Sequence, residues 1–168
     1  MQARTCLYKL TYAAEGVNAQ KIEFWNDLDY IGIDAYFPLT DKANPSLEEL
    51  TAGWEKYEPQ IKALSDKFKK QIIFTEIGFK SVEGTAIKPW EWKQDSKTSQ
   101  EEQALAFEAT SIAFKDKPYL AGIFVWKYFT DMNSYEKGNN EKGFTPYGKE
   151  AEKIISGWFD KGDQNSSQ

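Results

Sequence analysis

The residues best suited to chemistry in this chain are carboxylates and aromatics. Glu76 lies in Ile72-Ile73-Phe74-Thr75-Glu76-Ile77-Gly78, a carboxylate inside an otherwise apolar, β-favouring run. A buried carboxylate is costly unless paired or hydrogen-bonded. Such a residue therefore serves a reaction, caps a neighbouring helix or reaches out to solvent. Two-residue alternation predicts that Glu76 shares a face with Phe74 and Ile72, toward the inner side of its strand. Asp34 ends a similar run, Ile31-Gly32-Ile33-Asp34, with Tyr36 one pleat further on. A tyrosine hydroxyl there would hold the carboxylate and bond its charged form; the plainer reading is an aspartate that organises the turn after a strand. Trp126-Lys127-Tyr128 closes the last apolar run, and Lys88-Pro89-Trp90-Glu91-Trp92 sets two tryptophans in a stretch with no core period. Aromatic faces in a cleft suit the stacking of sugar rings, so Trp90, Trp92, Trp126, Tyr128 and Tyr36 would line a groove. The same rings would serve equally as plugs over the end of a barrel or anchors for a long loop.

Composition narrows the choice. The 168 residues contain no histidine, which excludes Ser-His-Asp and Cys-His catalysis and the usual zinc sites within this chain. No cofactor or metal is expected, and the chemistry falls to carboxylate, lysine, tyrosine or backbone. Cys6 is the single cysteine, so there is no internal disulfide. With 21 basic against 26 acidic residues and no basic block, neither nucleic acid nor an anionic membrane is an expected partner. No apolar run approaches the ~20 residues that span a bilayer, and Met1 to Thr5 leads into no signal-peptide core. The localisation stays open.

The elements that must position these residues follow from pattern. Four apolar runs, Cys6 to Ala13, Tyr30 to Tyr36, Gln71 to Ile77 and Ala121 to Tyr128, read as strands. Asn18 to Leu28 reads as a short helix. Ser46 and Glu49 form a capping box that opens a helix, which Pro59 kinks or restarts; Ser99 and Glu102 form a second box before a helix ending near Pro118. A last helix is predicted over 147–159. The order β-α-β-α-β-α-β-α predicts an α/β fold, a (β/α)4 arrangement that is either a small open sheet or half of a TIM barrel, whose full form needs ~250 residues. One domain over 1–160 is expected, with a polar, frayed tail over 161–168. Carboxyl ends of parallel strands carry the functional side chains in such folds, and Asp34, Tyr36, Glu76, Trp126 and Tyr128 all fall there.

The ordered segments Leu10-Thr11-Tyr12-Ala13-Ala14, Leu28 to Leu39, Phe74-Thr75-Glu76-Ile77-Gly78-Phe79, Ile87-Lys88-Pro89-Trp90-Glu91-Trp92 and Gly122-Ile123-Phe124-Val125-Trp126 resemble glycoside hydrolase family 113. The family consists of TIM-barrel enzymes, chiefly β-mannanases, that cleave β-1,4-mannosidic bonds with retention. The resemblance runs from about residue 7 to 159 and implies barrel strands five to eight. It implies Glu76 as the catalytic nucleophile, Asp34 and Tyr36 lining the site, Trp126 as its aromatic floor, and Trp90 and Trp92 on the loop after strand seven. It also implies that the acid/base glutamate, at the end of strand four, is not in this chain.

A polysaccharide or oligosaccharide is therefore the expected substrate, and the expected protein partner is a second copy of the chain or a complementary N-terminal half-barrel. In a two-fold dimer the partner's last strand would take the strand-four position, and it ends in Trp126-Lys127-Tyr128 without a carboxyl. Asp34, Glu91 or Asp131 would then have to substitute. The alternative is a non-catalytic carbohydrate-binding or vestigial half-barrel that self-associates.

Overall fold

A computed structural model describes residues 8–129 and 141–159. Cys6, Asp131 and the 161–168 tail lie outside the described residues. Four parallel strands, β1 (Ala13–Glu15), β2 (Ile31–Asp34), β3 (Ile72–Ile77) and β4 (Leu120–Val125), form one sheet in the order of the chain. Helices α1 (Leu47–Trp54) and α2 (Glu58–Phe68) follow β2, α3 (Gln100–Phe114) follows β3, and α4 (Glu150–Phe159) follows β4. The predicted (β/α)4 alternation is present, with two 3-10 helices, Gly16–Lys21 and Phe24–Asp27, in place of the single helix expected over 18–28.

The Ser46 capping box forms in full. Ser46 Oγ accepts from Glu49 N, and the Glu49 carboxylate accepts from Ser46 N at 2.9 Å. Pro59 restarts the helix, standing at the opening of α2 where a missing N–H costs nothing. At α3 only half of the predicted box exists. Ser99 Oγ caps Glu102 N, while the Glu102 side chain turns elsewhere. The last helix begins at Glu150 rather than 147, because Tyr147 and Gly148 form a turn with Gly148 at φ +73°.

The first strand is also displaced. Leu10 to Tyr12 run beside the entry to β2, where Leu10 O accepts from Asp29 N and Tyr30 N and Leu10 N donates to the Asp29 carboxylate. Regular pairing with β2 begins only at Ala13 opposite Gly32.

The core lies between the sheet and the helices. Ala14, Ile31, Ile33, Ile72, Phe74 and Ile77 are buried on the helix side of the sheet. There Phe74 meets Phe114 edge-on at 4.9 Å and lies parallel to Trp54 at 6.3 Å. Trp54 Nε1 donates to Thr110 Oγ1, so the one polar atom of that large ring is satisfied. Among the described residues no helix is long and apolar enough to cross a membrane.

Candidate active site at the carboxyl edge of the sheet

Register explains where Glu76 points. Ile33 pairs with Phe74, but Asp34 pairs with Glu76, so Thr75 is an extra residue in β3. A bulge of this kind breaks two-residue alternation. Phe74 stays among the helices, whereas Thr75 and Glu76 both come to the half-exposed open face. The expectation that Glu76 shares a face with Phe74 and Ile72 is therefore corrected. Those two residues are fully buried, Phe74 against Trp54 of α1 and Phe114 of α3, and Glu76 leaves their face through the bulge. Gly32 makes room for this. A Cβ there would lie 2.4 Å from Tyr12 O and 2.9 Å from Thr75 Cγ2.

The hydrogen bonds differ from the sequence reading in one respect. Tyr36 does not hold Asp34; its hydroxyl donates to Glu76 Oε2 at 2.9 Å. Asp34 Oδ1 instead accepts from Thr75 Oγ1 at 2.8 Å. Burial first, then the bond to Glu76 and the negative charges of Glu76 and Asp34, pushes the Tyr36 phenol far above its ordinary pKa. It therefore stays a neutral donor aimed at one carboxylate oxygen. Backbone bonds lock the group: Ala35 N donates to Glu76 O at 2.7 Å, and Trp126 N donates to Ile77 O at 2.8 Å. Gly78 lies against Trp126, where a Cβ would stand 2.2 Å from the Trp126 carbonyl oxygen.

Asp34, Tyr36, Glu76 and Trp126 are thus brought together on adjacent strand ends, as the sequence suggested. The reading missed Glu15. It ends β1, pairs in register with Asp34, and accepts from Asn18 Nδ2 at 2.8 Å. Placing the first strand over Cys6 to Ala13 hid it. Glu15, Asp34 and Glu76 form a row of carboxylates across three strand ends. No group of three or more His, Cys, Asp or Glu suited to a metal ion occurs among the described residues.

The aromatics stand on segments that leave β3 and β4. Trp126 is 40 % exposed and Tyr128 46 %, both just past β4. Burial, then the charge of Glu152, raises the Tyr128 pKa. Trp90 and Trp92 lie on the loop after β3 and are 50 % and 70 % exposed. The loop is closed at its base by the Val82–Thr98 bridge, and Lys80 Nζ reaches across it to Trp92 O and Gln94 O. Glu91 Oε1 accepts from Lys93 N and so serves its own loop.

A parallel sheet built from successive β-α units, with a carboxylate presented by a bulge at a strand end, has the build of part of a (β/α)8 barrel enzyme. The sequence profile of Glycoside Hydrolase Family 113 matches residues 6–149, and the chain belongs to that family. Among solved structures, the GH113 β-mannanase from Alicyclobacillus acidocaldarius in complex with ManMIm superposes with a TM-score of 0.77 at 24 % identity, covering 91 % of this chain and 45 % of that one. A GH113 β-1,4-mannanase complex gives 0.76 at 21 % identity, with 90 % and 45 % covered. A β-glucuronidase from Ruminococcus gnavus, in complex with D-glucuronic acid, gives 0.58 at 18 %, with 89 % and 26 % covered. The chain spans less than half the length of the mannanase structures it matches. A search of curated protein sequences returns no match.

Proposed function

We propose that this chain is the C-terminal (β/α)4 half, strands five to eight, of a β-mannanase-like barrel, and that Glu76 is the nucleophile of retaining hydrolysis of a β-1,4-linked mannan or related β-glycan. The observation that carries the reading is the bulge: β3 breaks its own alternation and so delivers Glu76, held by Tyr36, to the open carboxyl edge. In this mechanism one oxygen of Glu76 attacks the anomeric carbon as the glycosidic bond breaks. Tyr36 keeps Oε2 in place, so that attack falls to Oε1. Water then hydrolyses the glycosyl-enzyme. The leaving oxygen must be protonated by a second carboxyl ~5–5.5 Å from the first. The resemblance puts that carboxyl at the end of strand four, outside strands five to eight, so the proton source we assign lies on another half-barrel. Trp90, Trp92, Trp126 and Tyr128 are the proposed sugar platforms.

The open face of the sheet supports a partner. Phe124 is 64 % exposed there, and a Cβ added at Gly122 would meet nothing within 4 Å. Ile72 and Phe74, expected on the inner side of their strand, lie on the opposite side of the sheet. A second copy or a complementary half would also cover the unpaired edges of β1 and β4. Sedimentation at micromolar concentration tests self-association: a mass near twice the chain's 19.3 kDa is expected, and a 19.3 kDa species with a cooperative melt contradicts it.

Activity is tested by incubating the chain, together with a complementary N-terminal half-barrel that supplies the second carboxyl, with mannohexaose and with insoluble mannan while following reducing ends, with Glu76→Gln alongside. Cleavage that Glu76→Gln abolishes supports the nucleophile. Depletion onto mannan with no cleavage favours the carbohydrate-binding alternative, for which the exposed aromatics alone suffice.

A further inference from the structure

Glu102 is among the most buried charged side chains of the described residues, at 3 % exposed, and neither the capping of α3 nor the proposed chemistry uses its carboxylate. Its two oxygens go to two different loops. Oε1 accepts from Asn44 N at 3.1 Å, in the loop between β2 and α1. Oε2 accepts from Gly84 N at 2.9 Å, in the loop that carries Trp90 and Trp92. Both amides belong to residues with left-handed backbone, Asn44 at φ 51° and Gly84 at φ 75°. These are turn positions whose N–H groups have no place in a ladder, and a buried N–H left unpaired is expensive.

The next residue extends the pattern. Gln103 is fully buried, and its Nε2 donates to Phe79 O at 2.8 Å and Phe144 O at 3.0 Å. Its Oε1 accepts from Ser81 Oγ at 3.1 Å. Two consecutive side chains in the first turn of α3 therefore fasten the loops after β2, β3 and β4 to one helix. All three stand at the carboxyl edge, where Glu76 lies.

We propose that Glu102 is a positioning residue for the cleft, setting the loop that bears Trp90 and Trp92 against the loop after β2, with Gln103 fixing the base of the same assembly. The sugar-binding consequence rests on the reading above; the pinning itself does not. An exposed aromatic platform stacks on a sugar ring only if its backbone stands still, and here the anchor lies beneath the loop rather than in it.

Two variants test it. Glu102→Ala removes both acceptors, and Glu102→Gln keeps the shape and a single acceptor oxygen. Hydrogen exchange read by NMR should show the Asn44 and Gly84 amides both accelerating about tenfold or more in Glu102→Ala, and one of the two in Glu102→Gln. The amides of Ala106 to Thr110 in the middle of α3 should keep their protection. Unchanged exchange at Asn44 and Gly84, or a rise spread evenly through α3, would overturn the pinning. In parallel, mannohexaose titrated against tryptophan fluorescence should bind about tenfold more weakly to Glu102→Ala, with Glu102→Gln recovering part of the loss. If the unaltered chain does not bind mannohexaose, the sugar-binding reading fails while the exchange result still decides the pinning. If mannohexaose binds Glu102→Ala and the unaltered chain equally, the positioning role is overturned.

Discussion

The two faces of the four-stranded sheet are made from the same strands and serve opposite ends. On the helix side, Ile31, Ile33, Ile72, Phe74 and Ile77 are essentially closed to solvent, and Phe74 packs against Trp54 and Phe114. On the other side stand Gly32, Asp34, Ile73, Thr75, Glu76, Gly122 and Phe124, a mixture of glycine, polar groups, one half-buried aliphatic side chain and one exposed ring. The helix side holds the fold together. The open side leaves space, and its polar groups are tied to one another by specific bonds, Tyr36 to Glu76 and Thr75 to Asp34. One inserted residue in β3 moves Glu76 from the first set to the second. The division predicts that a substitution on one face changes stability and a substitution on the other changes chemistry.

Glu76→Gln is the strongest test of that division. Wherever the cleft turns over β-mannan, the variant should lose on the order of 8 kcal/mol of transition-state stabilisation, about a millionfold in rate, because no other group supplies the nucleophile. Its urea midpoint should stay close to that of the parent chain. A large loss of stability would place Glu76 with the structural face and break the comparison. Phe74→Ala, two residues away, should behave in the opposite way. Removing that ring from between Trp54 and Phe114 should cost about 3–5 kcal/mol in denaturant unfolding. Sugar binding by whatever fraction remains folded should be retained.

How far these roles were legible in sequence depended on whether they followed from residue type or from register. The strand-end carboxylate, the neighbouring tyrosine, the capping box at Ser46 and the restart at Pro59 all announce themselves by composition and spacing. The bulge does not. Thr75 is as good a strand residue as its neighbours, and only the pairing of Asp34 with Glu76 shows that it is extra. For the same reason spacing pairs Tyr36 with Asp34 on its own strand, whereas its partner Glu76 lies on the neighbouring one. Glu15 stayed hidden because Leu10 to Tyr12 are apolar enough to read as strand, although Asp29 and the backbone of Tyr30 hold them out of the regular ladder. Glu102 looked like a helix cap by its position after Ser99. Its carboxylate is drawn away by two turn amides whose approach is set by loops far apart in sequence.

Smaller effects sharpen the picture within the open face. Tyr36→Phe deletes one hydrogen bond to a charged acceptor, so turnover should fall by about 1.5–3 kcal/mol, roughly ten- to a hundredfold, with KM little altered. A rise in KM with kcat unchanged would mean that Tyr36 binds sugar rather than holding Glu76. Trp90→Ala and Trp92→Ala should each weaken mannohexaose binding by about 1–2 kcal/mol in titration calorimetry, from lost ring-face contact and apolar area. Binding unchanged in both variants would make those rings parts of a partner interface instead.

An effect of similar size concerns a charge on the structural side of the division. Lys149 stands just before α4, is 6 % exposed, and its Nζ donates to Ser81 Oγ at 2.6 Å and to Gly143 O at 3.2 Å. Burial pushes its amine down to about 8, whereas an unfolded lysine titrates near ~10.4. Between those two values the unfolded chain binds the proton more tightly than the folded one, so stability rises with pH across that window and is lost again as pH falls toward 8. The tyrosines work in the opposite direction. Tyr36, Tyr57, Tyr119 and Tyr128 all have raised pKa values, so they cost stability only as pH passes their unfolded values near ~10. Urea unfolding at pH 7.5 and 9.5 stays below that region. The parent chain should gain about 2 kcal/mol over the interval relative to Lys149→Met, whose side chain fills the same space without a proton to lose. Equal pH dependence in the two proteins would show that Lys149 keeps its charge in the fold. The link it makes between Ser81 and Gly143 would then be a pair of charge-assisted hydrogen bonds to neutral oxygens.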